Sequence, residues 1–386
     1  MVQRDIHKKL KYLLSKFPIV SLTGPRQSGK STFLKAAYPK YTYLSLEDID
    51  NREFARKDPR GFLQQYNNKV ILDEVQQVPE LFSYLQTHVD ANNRPGQYIL
   101  SGSQNFLLLK NITQSLAGRV AMLRLLPFSF NELKIGKWFV EHNNTLIYKG
   151  FYPKVFDKKI KPLDFYSSYV ETYIQRDVRS LLNIGNLKQF TSFLQLCAGR
   201  VGQILNLNAL ANDVGITQPT ARAWLSTLEA SYILYTLSPY YNNFNKRIIK
   251  SPKLYFYDTG LAAYLLGIRD VQQVQIHFAK GALFENLIIT ELLKIVYNKG
   301  ELPNFYYWRD SNDNEIDLLI EEANKIKTVE IKSSSTFNTS FLKGAEYFKN
   351  IKIKKMLRSF VILGLYDIKK RNNITILGPN NLEKLI

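Results

Sequence analysis

The sequence is poor in the two residue types that most often form cross-links or structural metal sites. Its 386 residues include one cysteine, Cys197, and four histidines. A single cysteine excludes an internal disulfide, and so few cysteines and histidines argue against a structural zinc site. A chain of this length instead predicts two or three domains, each with its own hydrophobic core.

Long apolar runs are also missing. No uninterrupted apolar stretch approaches the roughly 20 residues that a membrane-spanning helix needs. Residues 1–16 are rich in charge, and no apolar core typical of a signal peptide follows them. These features predict a protein of the reducing cytoplasm that has no membrane partner.

Acidic residues are scarce relative to basic ones. The 52 lysine and arginine residues outnumber the 33 aspartate and glutamate residues, which gives a formal net charge of +19. A basic surface attracts polyanions, and nucleic acid is the usual one, so DNA is the expected partner. The alternative is a general enrichment in lysine, since lysine and asparagine are abundant throughout the sequence.

The first third of the sequence alternates between strand-like and helix-like segments. Amphipathic patterns that predict helices occupy residues 6–17, 80–89 and 106–116. Short apolar runs predict five strands at residues 19–23, 41–46, 70–72, 98–100 and 120–125. This order predicts an α/β fold with a parallel nucleotide-binding sheet.

A glycine-rich motif follows the first predicted strand. Residues 24–31 (GPRQSGKS) match the Walker A pattern GxxxxGK[ST] at every fixed position. Such a loop turns its backbone N–H groups toward phosphates, and the next helix adds its positive dipole end. Lys30 is expected to reach the β- and γ-phosphates of ATP, and Ser31 to bind Mg²⁺. The predicted nucleotide-binding residues are Gly24, Pro25, Arg26, Gln27, Ser28, Gly29, Lys30, Ser31 and Thr32.

The third predicted strand ends in two acids. In residues 70–74 (VILDE), an apolar strand places Asp73 next to the magnesium ion, as in a Walker B motif. The adjacent Glu74 can polarise an attacking water, so the pair is typical of a site that hydrolyses ATP. A strand end with solvated acids is the alternative for this motif alone, but the neighbouring Walker A motif favours function.

Five segments together resemble one known family. GPRQSGKST, ILDEVQQVP, YILSGSQ, SLAGRV and LPFSFNEL resemble a prokaryotic AAA+ ATPase family whose members carry a C-terminal nuclease-like domain. The resemblance implies that Ser103 or Gln104 senses the γ-phosphate. It also implies an arginine finger at Arg119, and therefore a homo-oligomer with catalytic sites at subunit interfaces. Arg176, on a lid-like helix, is the implied second sensor, although either arginine could be a solvated surface charge.

The middle of the chain contains a helix-turn-helix pattern. Residues 208–229 predict two helices with a turn at Gly215, and Thr217 can cap the second helix. That second helix exposes side chains suited to base or phosphate contacts, namely Gln218, Thr220, Arg222 and Ser226.

A wing-like hairpin is predicted after these helices, from residues 234–240 and 253–257. Four basic residues there could contact phosphates: Lys246, Arg247, Lys250 and Lys253. A winged helix of this kind can bind DNA or serve as a packing module between domains.

Acidic residues recur in the last third of the sequence. Glu285 opens a predicted helix, Asp317 opens a strand, and Glu330 and Lys332 lie on the next strand. The set is similar to the PD-(D/E)XK nuclease superfamily, although Ile316 replaces its proline. The similarity implies a Mg²⁺ or Mn²⁺ ion held by Asp317 and Glu330. It also implies that Lys332 orients or deprotonates the attacking water, and that Glu285 reaches the metal through water.

The segments predict a fold in four parts. They are a parallel-sheet AAA+ P-loop ATPase domain (1–148), a helical lid (149–190), a winged-helix-like domain (191–270) and a small α/β restriction-endonuclease-like domain (271–386). The first boundary depends on residues 149–153 (KGFYP), which resemble a hinge.

The predicted function is an ATPase that acts on DNA and carries a metal-dependent nuclease domain. One alternative is an ATP-controlled oligomeric switch whose C-terminal domain only binds nucleic acid or protein. Another is a protein-remodelling ATPase. Linear, branched and RNA targets present the same phosphates, so the sequence does not distinguish among nucleic-acid substrates.

Overall fold

The chain folds into two compact units. The computed structural model describes residues 2–92, 94–103, 116–178, 186–240, 251–323, 325–350, 356–365, 369–371 and 374–386. The first unit comprises residues 1–137, 230–232 and 296–301, and the second comprises residues 138–229, 233–295 and 302–386. None of the helices within the described residues is long and apolar enough to cross a membrane.

The first unit is built on a five-stranded sheet. Its strands are β1 (Ile19–Thr23), β2 (Thr42–Ser45), β3 (Val70–Asp73), β4 (Tyr98–Gly102) and β5 (Val120–Arg124). They are all parallel, in the order β2-β3-β4-β1-β5. All five predicted strands and the parallel sheet are confirmed. Because parallel strands end at one edge, the loop after β1 and the residues at the ends of β3 and β4 lie side by side.

Helices cover both faces of this sheet. They are α1 (His7–Leu14), α2 (Lys30–Ala37), α3 (Ile49–Lys57), α4 (Pro59–Gln65), α5 (Leu81–Asn92) and α6 (Phe130–Ile135). Neighbouring residues of β1 point to opposite faces, so Ile19 joins the core beneath α4 and α5, whereas Val20 joins the core with α1 and α2. The predicted helices at 6–17 and 80–89 are confirmed. The one predicted at 106–116 lies in a part of the chain outside the described residues.

The second unit begins with helices. They are α7 (Asn143–Lys149), α8 (Pro153–Asp157), α9 (Pro162–Tyr169), α10 (Leu187–Gly199), α11 (Leu207–Val214), α12 (Gln218–Ala230), α13 (Thr259–Leu265) and α14 (Val271–Ile276). A π-helical stretch, Val170–Val178, continues α9 within the segment predicted as a helical lid.

The segment predicted to be a hinge is packed into the second unit. Phe151 is buried, and its backbone N–H donates to the carboxylate of Asp258 at 2.7 Å. Gly150 has a φ of 62°, and a Cβ at this position would lie 1.9 Å from the hydroxyl of Tyr166. These residues are held by buried hydrogen bonds and close packing, and the hinge stays a prediction. The domain boundaries predicted within residues 138–386 stay predictions.

The helix-turn-helix pattern is present in the backbone. Helix α11 ends at Gly215, which has a φ of 74°, and α12 starts three residues later. The Thr217 hydroxyl accepts from the backbone N–H of Thr220, as predicted for a cap. Strands β6 (Leu234–Leu237) and β7 (Lys253–Phe256) then pair antiparallel, as predicted for the hairpin.

A six-stranded sheet closes the second unit. Its strands are β8 (Phe305–Arg309), β9 (Glu315–Glu322), β10 (Lys325–Lys332), β11 (Met356–Leu363), β12 (Lys369–Arg371) and β13 (Ile374–Leu377), in the order β12-β13-β11-β10-β9-β8. Strands β8, β9 and β10 run antiparallel, and β11 is parallel to β10. Helix α15 (Lys280–Asn298) precedes β8, and α16 (Lys343–Lys349) joins β10 to β11. The two strands predicted to carry Asp317 and Glu330 are confirmed as β9 and β10.

Candidate functional site

The glycine-rich loop curls around its own lysine. The ammonium of Lys30, which is 5% exposed, donates to the carbonyl oxygens of Gly24 and Pro25, at 2.9 Å each. Gly24 has no space for a side chain, since a Cβ would lie 2.1 Å from the carbonyl oxygen of Leu125. Burial lowers the pKa of Lys30, against the opposing effect of Glu74 and Asp73. The loop thus keeps a buried cation at the start of α2.

Asp73, at the end of β3, accepts hydrogen bonds from three side-chain hydroxyls. Its Oδ2 accepts from the Ser31 hydroxyl at 2.6 Å and from the hydroxyl of Tyr43. Its Oδ1 accepts from the hydroxyl of Ser101. The pairing register places Ser101 opposite Asp73 on neighbouring strands. A serine hydroxyl touching a carboxylate is an oxygen donor set that fits Mg²⁺.

Glu74 is held in a particular orientation. Its backbone adopts a left-handed conformation with a φ of 50°, which is uncommon for glutamate. Its Oε2 accepts from the backbone N–H and the hydroxyl of Ser103, at 3.1 Å each, and from the side chain of Gln76. The structure therefore brings Ser103 to Glu74, whereas Gln104 lies outside the described residues. The γ-phosphate-sensing role stays a prediction.

A buried arginine, Arg4, contacts the backbone of the glycine-rich loop. Arg4 donates to the carbonyl oxygens of Ser28 at 2.8 Å and Leu126 at 2.6 Å. Its Nε also pairs with Glu132 at 2.8 Å, and both side chains are buried. No local sequence pattern predicts this contact, because Arg4 and Ser28 meet only in the folded unit.

Tyr43 and Ser101 were also missed, although the sequence contained a signal for both. Tyr43 lies two residues before the end of β2, and Ser101 lies where a parallel neighbour of β3 would end. Polar residues at the carboxyl end of a parallel sheet are candidates for its site.

Of the two arginines implied by the family resemblance, the structure describes the side chain of Arg119 but not that of Arg176. Arg119 donates to both carboxylate oxygens of Asp90, at 2.5 and 2.7 Å, in a partly exposed ion pair. Arg176 lies on the π-helical stretch Val170–Val178, and its side chain is outside the described part of the chain. The finger and sensor roles stay predictions.

In the second unit, the predicted C-terminal acids converge. The Lys332 ammonium lies 2.8 Å from Asp317 Oδ2 and 3.0 Å from Glu330 Oε2. The backbone N–H of Ile331 also donates to Asp317, at 2.8 Å. Glu285, on α15, faces the same cluster: burial raises the pKa of its carboxyl, Lys253 lowers it, and Asp317 raises it further. These four charged residues are therefore brought together, as the sequence predicted.

Lys253 occupies a place that the sequence did not predict. We expected it to contact phosphates from the wing, but its side chain is only 3% exposed. Its ammonium lies 3.1 Å from Glu285 and 2.5 Å from Glu315. The prediction for Lys253 is wrong, because β7 packs into the second unit and turns this lysine inward. The other predicted wing cations (Lys246, Arg247 and Lys250) lie outside the described residues.

Lysine side chains compensate the negative charge of the acidic cluster, which comprises Glu285, Glu315, Asp317 and Glu330. Burial alone would raise the pKa of Asp317, but Lys332 and Lys253 outweigh it and hold the pKa below its ordinary value. Burial and then Asp317 raise the pKa of Glu330. Across the residues that the structure describes, no group of three or more histidine, cysteine, aspartate or glutamate side chains is arranged to hold a metal ion. The Mg²⁺ or Mn²⁺ ion at Asp317 and Glu330 stays a prediction.

Helix α12 presents a polar face. Gln218, Arg222 and Ser226 are exposed, as predicted, whereas Thr220 is half-buried and shares a hydrogen bond with Thr217. The opposite face is buried through Ala221, Trp224, Leu225 and Leu228.

Three family models match the chain in succession. Residues 16–134 match an AAA domain, residues 140–272 match a domain of unknown function (DUF8612), and residues 280–379 match a second domain of unknown function (DUF4143). The AAA match spans both the Walker A loop and the Asp73–Glu74 pair.

The relatives include proteins of bacteria and archaea. Uncharacterized protein Rv2008c of Mycobacterium tuberculosis and uncharacterized protein Mb2031c of Mycobacterium bovis are each 30% identical over 343 residues, covering 86% of this chain and 74% of theirs. Uncharacterized protein MJ1544 of Methanocaldococcus jannaschii is 23% identical over 357 residues, covering 84% of this chain and 76% of its own.

Among solved structures, similar chains include two nucleotide-binding proteins. The Walker-type ATPase PABY2304 of Pyrococcus abyssi gives a TM-score of 0.43 at 16% identity, covering 69% of this chain and 96% of its own. AMPPCP-bound DnaA from Aquifex aeolicus gives a TM-score of 0.30 at 15% identity, covering 58% and 85%. With its AAA domain, its Walker motifs and its mycobacterial relatives, the chain belongs to the family of AAA-domain P-loop ATPases that includes Rv2008c and Mb2031c.

Proposed function

We propose that this ATPase hydrolyses ATP at the Walker site and couples that reaction to binding of DNA through α12. The observation that carries the proposal is the meeting of Lys30, Ser31, Asp73 and Glu74 at the carboxyl edge of the parallel sheet. These residues come from two segments far apart in the chain, and each has the chemistry that its place requires.

Phosphate binding would use the loop and its lysine. The loop between β1 and α2 would direct backbone N–H groups and the N-terminus of α2 toward a bound anion. The Lys30 ammonium would exchange its two loop carbonyls, 2.9 Å away, for oxygens of the β- and γ-phosphates. Because the lysine is buried and its pKa is lowered by burial, a bound phosphate would stabilise its charged form.

The Ser31 hydroxyl and the Asp73 carboxylate would hold Mg²⁺. The ion would neutralise negative charge on the phosphates when bound. Tyr43 and Ser101 already donate to Asp73, so the carboxylate would be kept in position for that task. Glu74 follows directly and would take the proton from the attacking water.

Completion of the site by a second copy of the chain is part of the proposal. Arg119 would act as the arginine finger of a homo-oligomer. Its ion pair with Asp90 is partly exposed and would have to open for that role. Such a pair contributes little stability because solvent screens it, so it is no obstacle to rearrangement.

DNA binding would use the exposed face of α12. Gln218, Arg222 and Ser226 lie on that face, and the helix follows α11 after a tight turn, as a recognition helix does. The formal net charge of +19 favours a polyanionic partner.

For the C-terminal part we propose a restriction-endonuclease-like fold that serves as a binding module. The order of α15, β8 to β10, α16 and β11, with acids on neighbouring strands, supports the fold. The lysines that compensate the acids oppose the metal on which cleavage would depend. We therefore favour the non-catalytic alternative for this domain over the nuclease predicted from the sequence.

The experiment is phosphate release by the full chain with and without duplex DNA. The proposal expects DNA to stimulate the rate, Lys30→Ala to abolish it, and Arg222→Ala to remove only the stimulation. Arg60→Ala is the matched control, since Arg60 is an exposed arginine on α4. A rate that DNA leaves unchanged would overturn the coupling to DNA, whereas hydrolysis that survives in Lys30→Ala would overturn the assignment of the site.

A further inference from the structure

The acidic cluster of the second unit surrounds the ammonium group of a lysine, Lys253. The ammonium of Lys253 lies 3.1 Å from Glu285 Oε1 and 2.5 Å from Glu315 Oε1. Asp317 is also close enough to affect the charge state of the lysine. The aromatic ring of Tyr307 lies on a further side, with its centroid 5.6 Å from the nitrogen. Acids from α15 and β9 thus surround one buried ammonium group.

The charges of this cluster are close to balanced. Four carboxyl groups face three cationic groups: Glu285, Glu315, Asp317 and Glu330 against Lys253, Lys332 and Arg309. An additional divalent cation would leave an excess of positive charge in a buried place, which is costly.

Strand β7 keeps the lysine fixed in the cluster. The backbone of Leu254 exchanges hydrogen bonds with Gly202 at 2.8 Å and with Gln203 at 3.1 Å. The side chain of Asn286, on α15, bonds both the N–H and the carbonyl of Phe256, at 2.8 and 2.7 Å. The hydroxyl of Tyr255 donates to Glu285. Lys253 is therefore held from both sides and is not a mobile surface chain.

We infer that Lys253 takes the place of a divalent cation in this acidic cluster and so closes the site to metal ions. The cluster then works as a metal-independent ionic link between β7 and the C-terminal sheet. A single substitution of Lys253 by an uncharged residue removes one positive charge, so that the carboxyls of Glu285, Glu315 and Asp317 can turn toward the space vacated by its side chain. Carboxylates in that number are the ligands that Mn²⁺ binds. The inference does not depend on the ATPase reaction.

Mn²⁺ binding to the nucleotide-free full chain tests this directly, by the loss of the electron paramagnetic resonance signal of free Mn²⁺. We expect Lys253→Met to gain one Mn²⁺ site, at least tenfold tighter than any binding by the wild type, and Lys253→Met with Asp317→Asn to lose it. Lys327→Met is the matched control, because Lys327 is another buried lysine in an ion pair, with Glu322, outside the cluster. It should gain no site. Any Mn²⁺ bound at the Walker loop is common to all these variants.

A second comparison avoids dependence on the folding of the methionine variant. In the otherwise wild-type chain, Asp317→Asn should leave Mn²⁺ binding unchanged, because no ion is bound there to lose. Lys253→Gln, which keeps a polar group of similar length, should behave as Lys253→Met does. A wild-type Mn²⁺ site that Asp317→Asn abolishes would overturn the inference. So would folded Lys253→Met and Lys253→Gln proteins, judged by circular dichroism, that gain no site.

Discussion

The hydroxyl of Ser31 donates to Oδ2 of Asp73 at 2.6 Å, which joins two residues 42 positions apart in the chain. Ser31 lies in the first turn of α2, and Asp73 is the last residue of β3. The bond forms because the loop after β1 and the end of β3 lie at the same edge of the parallel sheet. It marks the place where the two Walker motifs become one site.

Replacing Ser31 tests the magnesium part of the site. Ser31→Ala removes the hydroxyl that would bind Mg²⁺ but leaves the loop backbone in place. We expect Mg²⁺-dependent ATP affinity to fall about tenfold or more, in line with about 1.4 kcal/mol for one good polar contact. Titration of a fluorescent ATP analogue with and without EDTA measures it. Ser31→Thr retains a hydroxyl and should bind as the wild type does; equal loss in both variants would contradict the role.

Replacing Ser103 tests how Glu74 is oriented. Ser103→Ala removes one of the two contacts that this residue makes to Glu74 Oε2 and keeps the backbone N–H. Loss of one hydrogen bond to a charged group corresponds to about a tenfold decrease in kcat, with KM for ATP little changed. Steady-state phosphate release gives both constants. Ser83→Ala, at an exposed serine of α5, is the control. A change confined to KM would argue against positioning of the base.

Substitutions of Arg119 and of Asp90 distinguish an arginine finger from a surface ion pair. If Arg119 completes a neighbouring site, Arg119→Ala should lower the hydrolysis rate by about 10³-fold or more while ATP binding persists. Asp90→Ala frees the same arginine and should keep the rate or raise it. Hydrolysis rates and light scattering, measured in parallel on both variants, distinguish the two roles. If Arg119→Ala lowered the rate no more than Asp90→Ala, the pair would have only a structural role.

Burial raises the pKa of the Asp258 carboxyl above its ordinary value of 3.8, despite hydrogen bonds from Tyr166, Leu261 and Phe151 that oppose the effect. From pH 3.8 up to the raised pKa, the native state holds a proton that the unfolded chain has released. The free energy of unfolding therefore decreases as pH rises through this window.

Asp258→Asn removes that titration and one acceptor oxygen. We expect it to cost about 1–3 kcal/mol of unfolding free energy, with the largest difference from wild type at the acidic end of the window. Urea unfolding at a series of pH values above 3.8 measures the trend. A difference from wild type that grows with pH would contradict the raised pKa.

Much of the first unit could be predicted from the sequence because its signals are local. Residues 19–23 are apolar and precede a glycine-rich loop, and β1 is observed over Ile19–Thr23. The same holds for the Asp73–Glu74 pair at the end of β3. By contrast, Arg4 contacts Ser28 and Leu126 only because the folded unit brings three distant segments together. No local pattern marks such a residue.

In the second unit, local sequence signals did not predict the direction of the Lys253 side chain. Its place on a predicted hairpin next to other basic residues favoured a solvent-facing side chain. In the structure, β7 packs beside α15, and the bonds between Asn286 and Phe256 fix that packing. The inward direction of Lys253 follows from this tertiary contact, which neither strand propensity nor charge patterning contains. Glu315 was missed for the same reason, since its partner comes from β7.

The proposed base for ATP hydrolysis at the Walker site is Glu74. The most direct test measures ATP binding and phosphate release in wild type and Glu74→Gln, which keeps the size of the side chain but cannot take a proton. We predict unchanged ATP affinity and a hydrolysis rate lowered by about 10²-fold or more, as for loss of a general base. Hydrolysis by Glu74→Gln at the wild-type rate would contradict the account.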